Sequence, residues 1–275
     1  MRLTRLAFAS LLIVPLAQAA VDMAPGGIQE LPFYLLNQQP VIEAQVGSTK
    51  ARLMLDLGAH GEMMLTSHLI QQLGIQPGEA VTTLSDHAGN ALPNRLYPPL
   101  PVTLAGRELG QLAATEFPRE SRYDGLIGMG YFKHYRIKID YPQLRMTLFP
   151  PTEKPAFEAA CQGKVLPLGR QGDLLYLTAE TELGPLKLAL DTGANMNVIN
   201  QTALQGAAAS RIDPQRRYAF DTFILTDQPY RPGKFYVLQS QMGSIQGFLG
   251  YEFFKDKTVC LDMEATTAYI ATRSP

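Results

Sequence analysis

The chain has 275 residues, with 24 Lys plus Arg against 25 Asp plus Glu and a hydrophobic share of 46%. That share is too high for a disordered chain, and a formal charge of −1 lacks the clustered basic excess that binds nucleic acid or an anionic membrane. Two cysteines without a CxxC pair and four scattered histidines argue against a disulfide framework and give no zinc-site spacing, so no metal and no cofactor is expected.

In chain order, residues 1–19 come first. Arg2 and Arg5 precede an apolar run over residues 6–16, and Ala17-Gln18-Ala19 closes the segment. This order of charge, apolar run and small residues is that of a secretory signal, too short to span a bilayer. It predicts cleavage after Ala19, an exported protein that is periplasmic or secreted, and no stable membrane association afterwards.

The next informative segment, Ala51-Arg52-Leu53-Met54-Leu55-Asp56-Leu57-Gly58-Ala59, returns downstream as Leu186-Lys187-Leu188-Ala189-Leu190-Asp191-Thr192-Gly193-Ala194, an offset of 135 residues. A second block, Asp124-Gly125-Leu126-Ile127-Gly128-Met129-Gly130-Tyr131-Phe132-Lys133, returns as Gln246-Gly247-Phe248-Leu249-Gly250-Tyr251-Glu252-Phe253-Phe254-Lys255. Two blocks repeated in the same order predict two homologous lobes, residues 20–153 and 154–275. The Pro-rich stretch Pro150-Pro151-Thr152-Glu153-Lys154-Pro155 reads as the linker.

Period-two alternation at Leu186, Leu188 and Leu190, and again over residues 136–140, predicts strands and a mostly all-β fold. A short helix is expected after each aspartate block, in the first lobe over Ser67–Leu73, stopped by Gly74. Asp140 and Asp262 match each other and read as surface turn residues. Tyr131, Phe132, Phe253 and Phe254 read as core, and His60 as a wall residue beside the first aspartate turn.

An Asp-x-Gly-Ala turn after an apolar strand presents a carboxylate at the end of a sheet, and Gly lets the backbone approach another segment closely. Two such turns related by a two-fold would bring Asp56 and Asp191 together. Carboxylates about 3 Å apart share one proton, so one acts as base and the other as acid. Such a pair can activate water and protonate a leaving amine, which is amide hydrolysis.

On these residues the sequence resembles the aspartic peptidase superfamily, and within it the retropepsin-like members. Asp191-Thr192-Gly193-Ala194 is similar to the family's Asp-Thr-Gly motif, and Asp56-Leu57-Gly58-Ala59 to a divergent copy. Leu126-Ile127-Gly128 and Phe248-Leu249-Gly250 resemble the element that packs beneath each aspartate turn. The resemblance implies two β-barrel-like lobes of the pepsin and retropepsin acid-protease fold with a cleft between them. It implies Asp56 and Asp191 as catalytic residues, Gly58, Thr192 and Gly193 as their support, and a peptide or unfolded protein as substrate. A hairpin flap is implied too, with Leu84-Ser85-Asp86-His87-Ala88-Gly89-Asn90 as its tip. Gly89, Ala59 and Ala194 are then the residues expected to bind substrate. The second-lobe equivalent falls at Leu225-Thr226-Asp227-Gln228-Pro229.

Leu57 stands where the family has Thr or Ser, whose hydroxyl fixes the pair across the lobe interface. Two functions follow: an exported aspartic endopeptidase, or a weak or inactive relative that binds peptides or a partner protein in the cleft. Both turns lie on one chain, so a monomer suffices. Cys161 and Cys260 form either a disulfide or two buried thiols.

Overall fold

A computed structural model of the chain describes residues 27–79, 81–85, 91–117, 121–239 and 243–272. The segment read as a secretory signal and residues 86–90, with Gly89, lie outside the described residues. Among those described, no helix is long and apolar enough to cross a membrane.

The described strands form three sheets. An eight-stranded sheet draws on residues 34–127 and a nine-stranded one on residues 169–249. The third, of six strands, is shared. Gln29–Pro32, Arg145–Phe149 and Arg136–Asp140 come from the first half; Lys257–Asp262, Thr267–Thr272 and Lys164–Pro167 from the second. The seam is antiparallel, with Ile137 opposite Leu261 and Ile139 opposite Val259. One apolar core runs through both halves, from Leu31 and Leu53 to Leu188 and Leu261, as an all-β two-lobed fold requires.

Asp262 is not a surface turn residue. It is 2% exposed, and its Oδ2 accepts from Arg136 Nε at 2.8 Å across the seam. Its Oδ1 accepts the N–H groups of Glu264 and Ala265, so the turn role is present, but Arg136 of the other half covers it. Burial pulls the carboxyl pKa up; the Ala265 N–H and the Arg136 guanidinium outweigh that and hold it below its ordinary value. Its counterpart Asp140 accepts the Gln143 N–H at 3.0 Å.

The Pro-rich connection is only partly a spacer. Pro151–Glu153 is a 3-10 turn and Lys154–Ala160 an α-helix, begun with Pro155 in its first turn, where a missing N–H costs nothing. Phe157 anchors this helix between Phe149 and Tyr269. Beside it Cys161 and Cys260 are joined by a disulfide, Cα–Cα 6.0 Å.

The first-half helix spans Ser67–Leu73; the Thr66 hydroxyl accepts the Leu69 N–H, and Gly74 ends it at φ 63°. In the second half two 3-10 segments, Gln201–Ala203 and Gly206–Arg211, stand in place of the expected helix. Gly206, at φ 58°, interrupts the run. The first-half hairpin pairs Val81–Ser85 with Ala91–Leu104, while the second-half one reduces to Phe223–Leu225 against Gln228–Pro229. Helices Met129–Phe132 and Tyr251–Phe254 bury all four repeated aromatics, Tyr131, Phe132, Phe253 and Phe254, while Tyr251 is half-buried.

Candidate active site

Each aspartate turn begins where two parallel strands end. Thr49–Leu55 runs beside Gly125–Ile127, and Gly184–Leu190 beside Gly247–Leu249. The Asp56 N–H then donates to Ile127 O at 2.9 Å, and the Asp191 N–H to Leu249 O at 3.0 Å. The carbonyls of Ala59 and Ala194 accept from the N–H groups of Met129 and Tyr251, both at 2.9 Å. Glycine is needed at the foot of each turn: a Cβ on Gly128 would lie 2.8 Å from Ala59 O, and one on Gly250 2.6 Å from Ala194 O.

The turns meet face to face. A Cβ on Gly58 would lie 2.5 Å from Asp191 Cγ, and a Cβ on Gly193 2.5 Å from Asp56 Cγ. Each glycine is therefore the gap into which the opposite carboxylate fits. The two carboxyl groups are hydrogen-bonded to each other.

Burial raises the pKa of both aspartates. Asp191 is held well above its ordinary value, first by burial, then by the charge of Asp56 and the hydrogen bond between them. Asp56 is raised by burial against the pull of the Gly58 N–H, the Asp191 carboxyl and the Gly193 and Ala59 N–H groups; the Ala194 and Gly193 N–H groups pull against the rise at Asp191. N–H donors favour the ionised form and burial the neutral one, so the pair holds a single proton between its two carboxyl groups.

Thr192 ties the turns together. Its hydroxyl donates to Leu55 O at 2.7 Å and accepts the Leu57 N–H at 3.0 Å, so one side chain of the second half satisfies two backbone groups of the first. Leu57 has no hydroxyl to return; it is 0% exposed and belongs to the apolar core. Full burial of a leucine is worth about 1.5 to 3 kcal/mol. The position adds cohesion without direction.

Ala59 packs with Leu36, Phe117 and Tyr123 against buried Val41, Met54, Met64 and Leu126. Ala194 sits in its turn with its N–H on Asp191 Oδ1 at 3.0 Å. His60 is exposed, with Nδ1 3.4 Å from Asp173 Oδ2 in the other half. The disulfide lies at the central sheet, not at the aspartates. Among the described residues no cluster of three or more His, Cys, Asp or Glu is placed to hold a metal ion.

Two neighbours have no prominent sequence signal. The Gln39 side-chain amide donates to the Gly193 carbonyl, a second tie between the halves. Its one sequence cue is the polar Asn37-Gln38-Gln39 turn between apolar runs. Tyr141 is buried, stacks on Phe254 at 5.4 Å, and has no hydrogen-bond partner for its hydroxyl among the described residues. Burial and the charges of Asp191 and Asp56 push its pKa up. Its cue is adjacency to Asp140, whose counterpart Asp262 is followed by Met263.

Residues 42–131, which contain the first turn and its supporting Gly128, match the family model described as aspartyl protease. Among solved structures, the aspartic proteinase from Irpex lacteus is similar over 90% of this chain and 98% of that one, at 12% identity and TM-score 0.60. Basic 7S globulin from soybean is similar over 90% and 95%, at 11% identity and TM-score 0.55. No curated protein sequence matches the chain. With the matched turns described above, these findings show a bilobal, pepsin-like fold and, over residues 42–131, a similarity to the aspartyl protease family.

Proposed function

We propose that the protein is an exported aspartic endopeptidase in which Asp56 and Asp191 share one proton and activate a water against a peptide bond. The observation that carries this reading is the reciprocal fit of each turn's glycine against the other turn's carboxylate. Asp56 takes a proton from the water as it attacks the carbonyl carbon. Asp191 gives its proton to the carbonyl oxygen; on collapse of the resulting diol the proton gained by Asp56 goes to the departing amine while Asp191 takes a proton back from a diol hydroxyl, restoring the pair. Gly58 and Gly193 keep the carboxylates in reach, and Thr192 holds the turns in register. Export is supported by the charge and apolar pattern of residues 1–19. Both turns lie on one chain, which supports a monomer acting on peptides or unfolded proteins.

Purified protein is expected to cut an unstructured protein and to lose at least about a thousandfold in kcat/KM on Asp191→Asn, a loss of roughly 4 kcal/mol in transition-state stabilisation. Activity requires one proton on the pair, and both pKa values are raised, so its bell-shaped pH profile is expected above the ordinary carboxylate value of about 4. Cutting that survives Asp191→Asn refutes the proposal. Binding of unfolded chains without cutting, both in the natural protein and in Leu57→Thr, replaces it with a peptide-binding role.

A further inference from the structure

Beside the aspartate pair, the first half carries a pocket whose charge the hydrolytic chemistry does not use. Leu36, Asn37, Gln39, Ser121, Arg122 and Tyr123 line a cavity of about 420 Å³. It adjoins the aspartate turns on both sides. Gln39 reaches from its wall to the Gly193 carbonyl, and Leu36 and Tyr123 share an apolar cluster with Ala59.

Two turns shape the walls. Asn37 and Gln38 take φ 52° and 68° in the tight connection between Tyr34–Leu36 and Gln39–Val46. The Ser121 hydroxyl accepts the Tyr123 N–H at 3.3 Å, fixing the bend at which Arg122 sits.

Among the described residues the nearby carboxylates are already engaged. Asp124 accepts the Arg52 N–H at 2.8 Å and lies 3.8 Å from its guanidinium. Glu43 accepts the Tyr34 hydroxyl at 3.2 Å. Among the described residues Arg122 has no ion pair or hydrogen bond, so its exposed guanidinium, a planar fork of donors suited to a carboxylate, is open to a ligand.

We propose that this pocket selects a substrate side chain ending in a carboxylate, Glu or Asp, with Arg122 as the specificity-determining residue. The assignment rests on reading Asp56 and Asp191 as the hydrolytic pair, since it names the chemistry of the peptide that pair would cut. Leu36 and Tyr123 receive the methylene stem, and Asn37 and Ser121 supply polar neighbours to the head. Arg122 lies on the exposed rim, so its replacement leaves the fold and the aspartate pair intact.

The test uses peptides identical except for Glu, Gln, Lys or Leu at each position flanking the cleaved bond. At about pH 6, where a substrate Glu is ionised, wild type is expected to favour Glu over Gln about fivefold in kcat/KM at one position, the upper end for an exposed charge pair. The preference disappears near pH 3, where that Glu is protonated, and weakens in about 0.5 M salt. Arg122→Gln is expected to bring the ratio to about one by lowering cleavage of the Glu peptide, and Arg122→Glu to turn the preference towards Lys. A preference for Leu at every position, or a Glu preference that survives Arg122→Gln, overturns the assignment. Binding of the same peptides to Asp191→Asn, read by fluorescence polarisation, separates the two proposals. An Arg122-dependent Glu preference in binding upholds the pocket even when no peptide is cut, whereas cutting without that preference sinks the pocket and leaves the peptidase.

Discussion

The two aspartate turns have nearly the same backbone and different chemistry. Both take their N–H from a parallel strand pair and pack over a glycine, with hydrogen bonds that agree within 0.1 Å. Yet the second turn supplies a hydroxyl that satisfies two backbone groups of the first, and the first supplies a buried leucine in exchange. Approach is thus set by glycines and β-pairing on both sides, while orientation is set from one side only. A near-symmetric scaffold thus holds its two carboxyl groups by unsymmetric means, with both pKa values raised by burial.

The largest effect is expected from breaking what the turns share. Gly58→Ala or Gly193→Ala would put a methyl 2.5 Å from the opposite carboxyl carbon, so the turns must separate by on the order of 1 Å, and kcat/KM is expected to fall at least about a hundredfold for each. Equal effects from the two substitutions support the shared-approach account; a harmless substitution on one side breaks it.

Next come changes that make the turns alike. Thr192→Leu leaves the Leu57 N–H and the Leu55 carbonyl unpaired in the core, at about 1 to 3 kcal/mol each, with a loss of about a hundredfold in activity. Leu57→Thr is expected to raise kcat up to about tenfold, or about 1.4 kcal/mol, by fixing orientation from both sides. Chemical denaturation and steady-state kinetics on the two variants check both statements. A Leu57→Thr protein no faster than wild type shows that orientation from one side is sufficient.

The smallest effect concerns charge. Asp191 in the fold keeps its proton to higher pH than in the unfolded chain, so across that interval the unfolded state binds fewer protons, and stability falls as pH rises. Asp191→Asn removes this penalty. Its Tm is expected to exceed that of wild type at neutral pH, by about 2 to 4 °C for each kcal/mol relieved, and to match it below about pH 3.5. A Tm difference independent of pH assigns the effect to packing instead.

The parts of this arrangement legible in the sequence are those written locally. Asp56, Gly58, Gly128 and their repeats sit in short motifs because a strand end and a close approach each demand particular residues at fixed spacing. The helix over Ser67–Leu73 is legible for the same reason, with Thr66 and Gly74 marking its ends. What escaped joins distant segments. Gln39 meets Gly193 at a separation of 154 residues and Arg136 meets Asp262 at 126, and neither pairing leaves a periodic trace. The helix at Lys154–Ala160 was masked by its prolines, which signal a linker as readily as a first turn.

The shared central sheet also bears on how such a molecule comes into being. Arg136–Asp140 finds its outer neighbour only in Lys257–Asp262, so a chain made from its N-terminus leaves that strand edge open until synthesis is nearly complete. Pairings this distant in sequence close late and slowly. The first aspartate turn therefore waits without its fellow through most of translation, and the seam that brings them together is among the last parts to form.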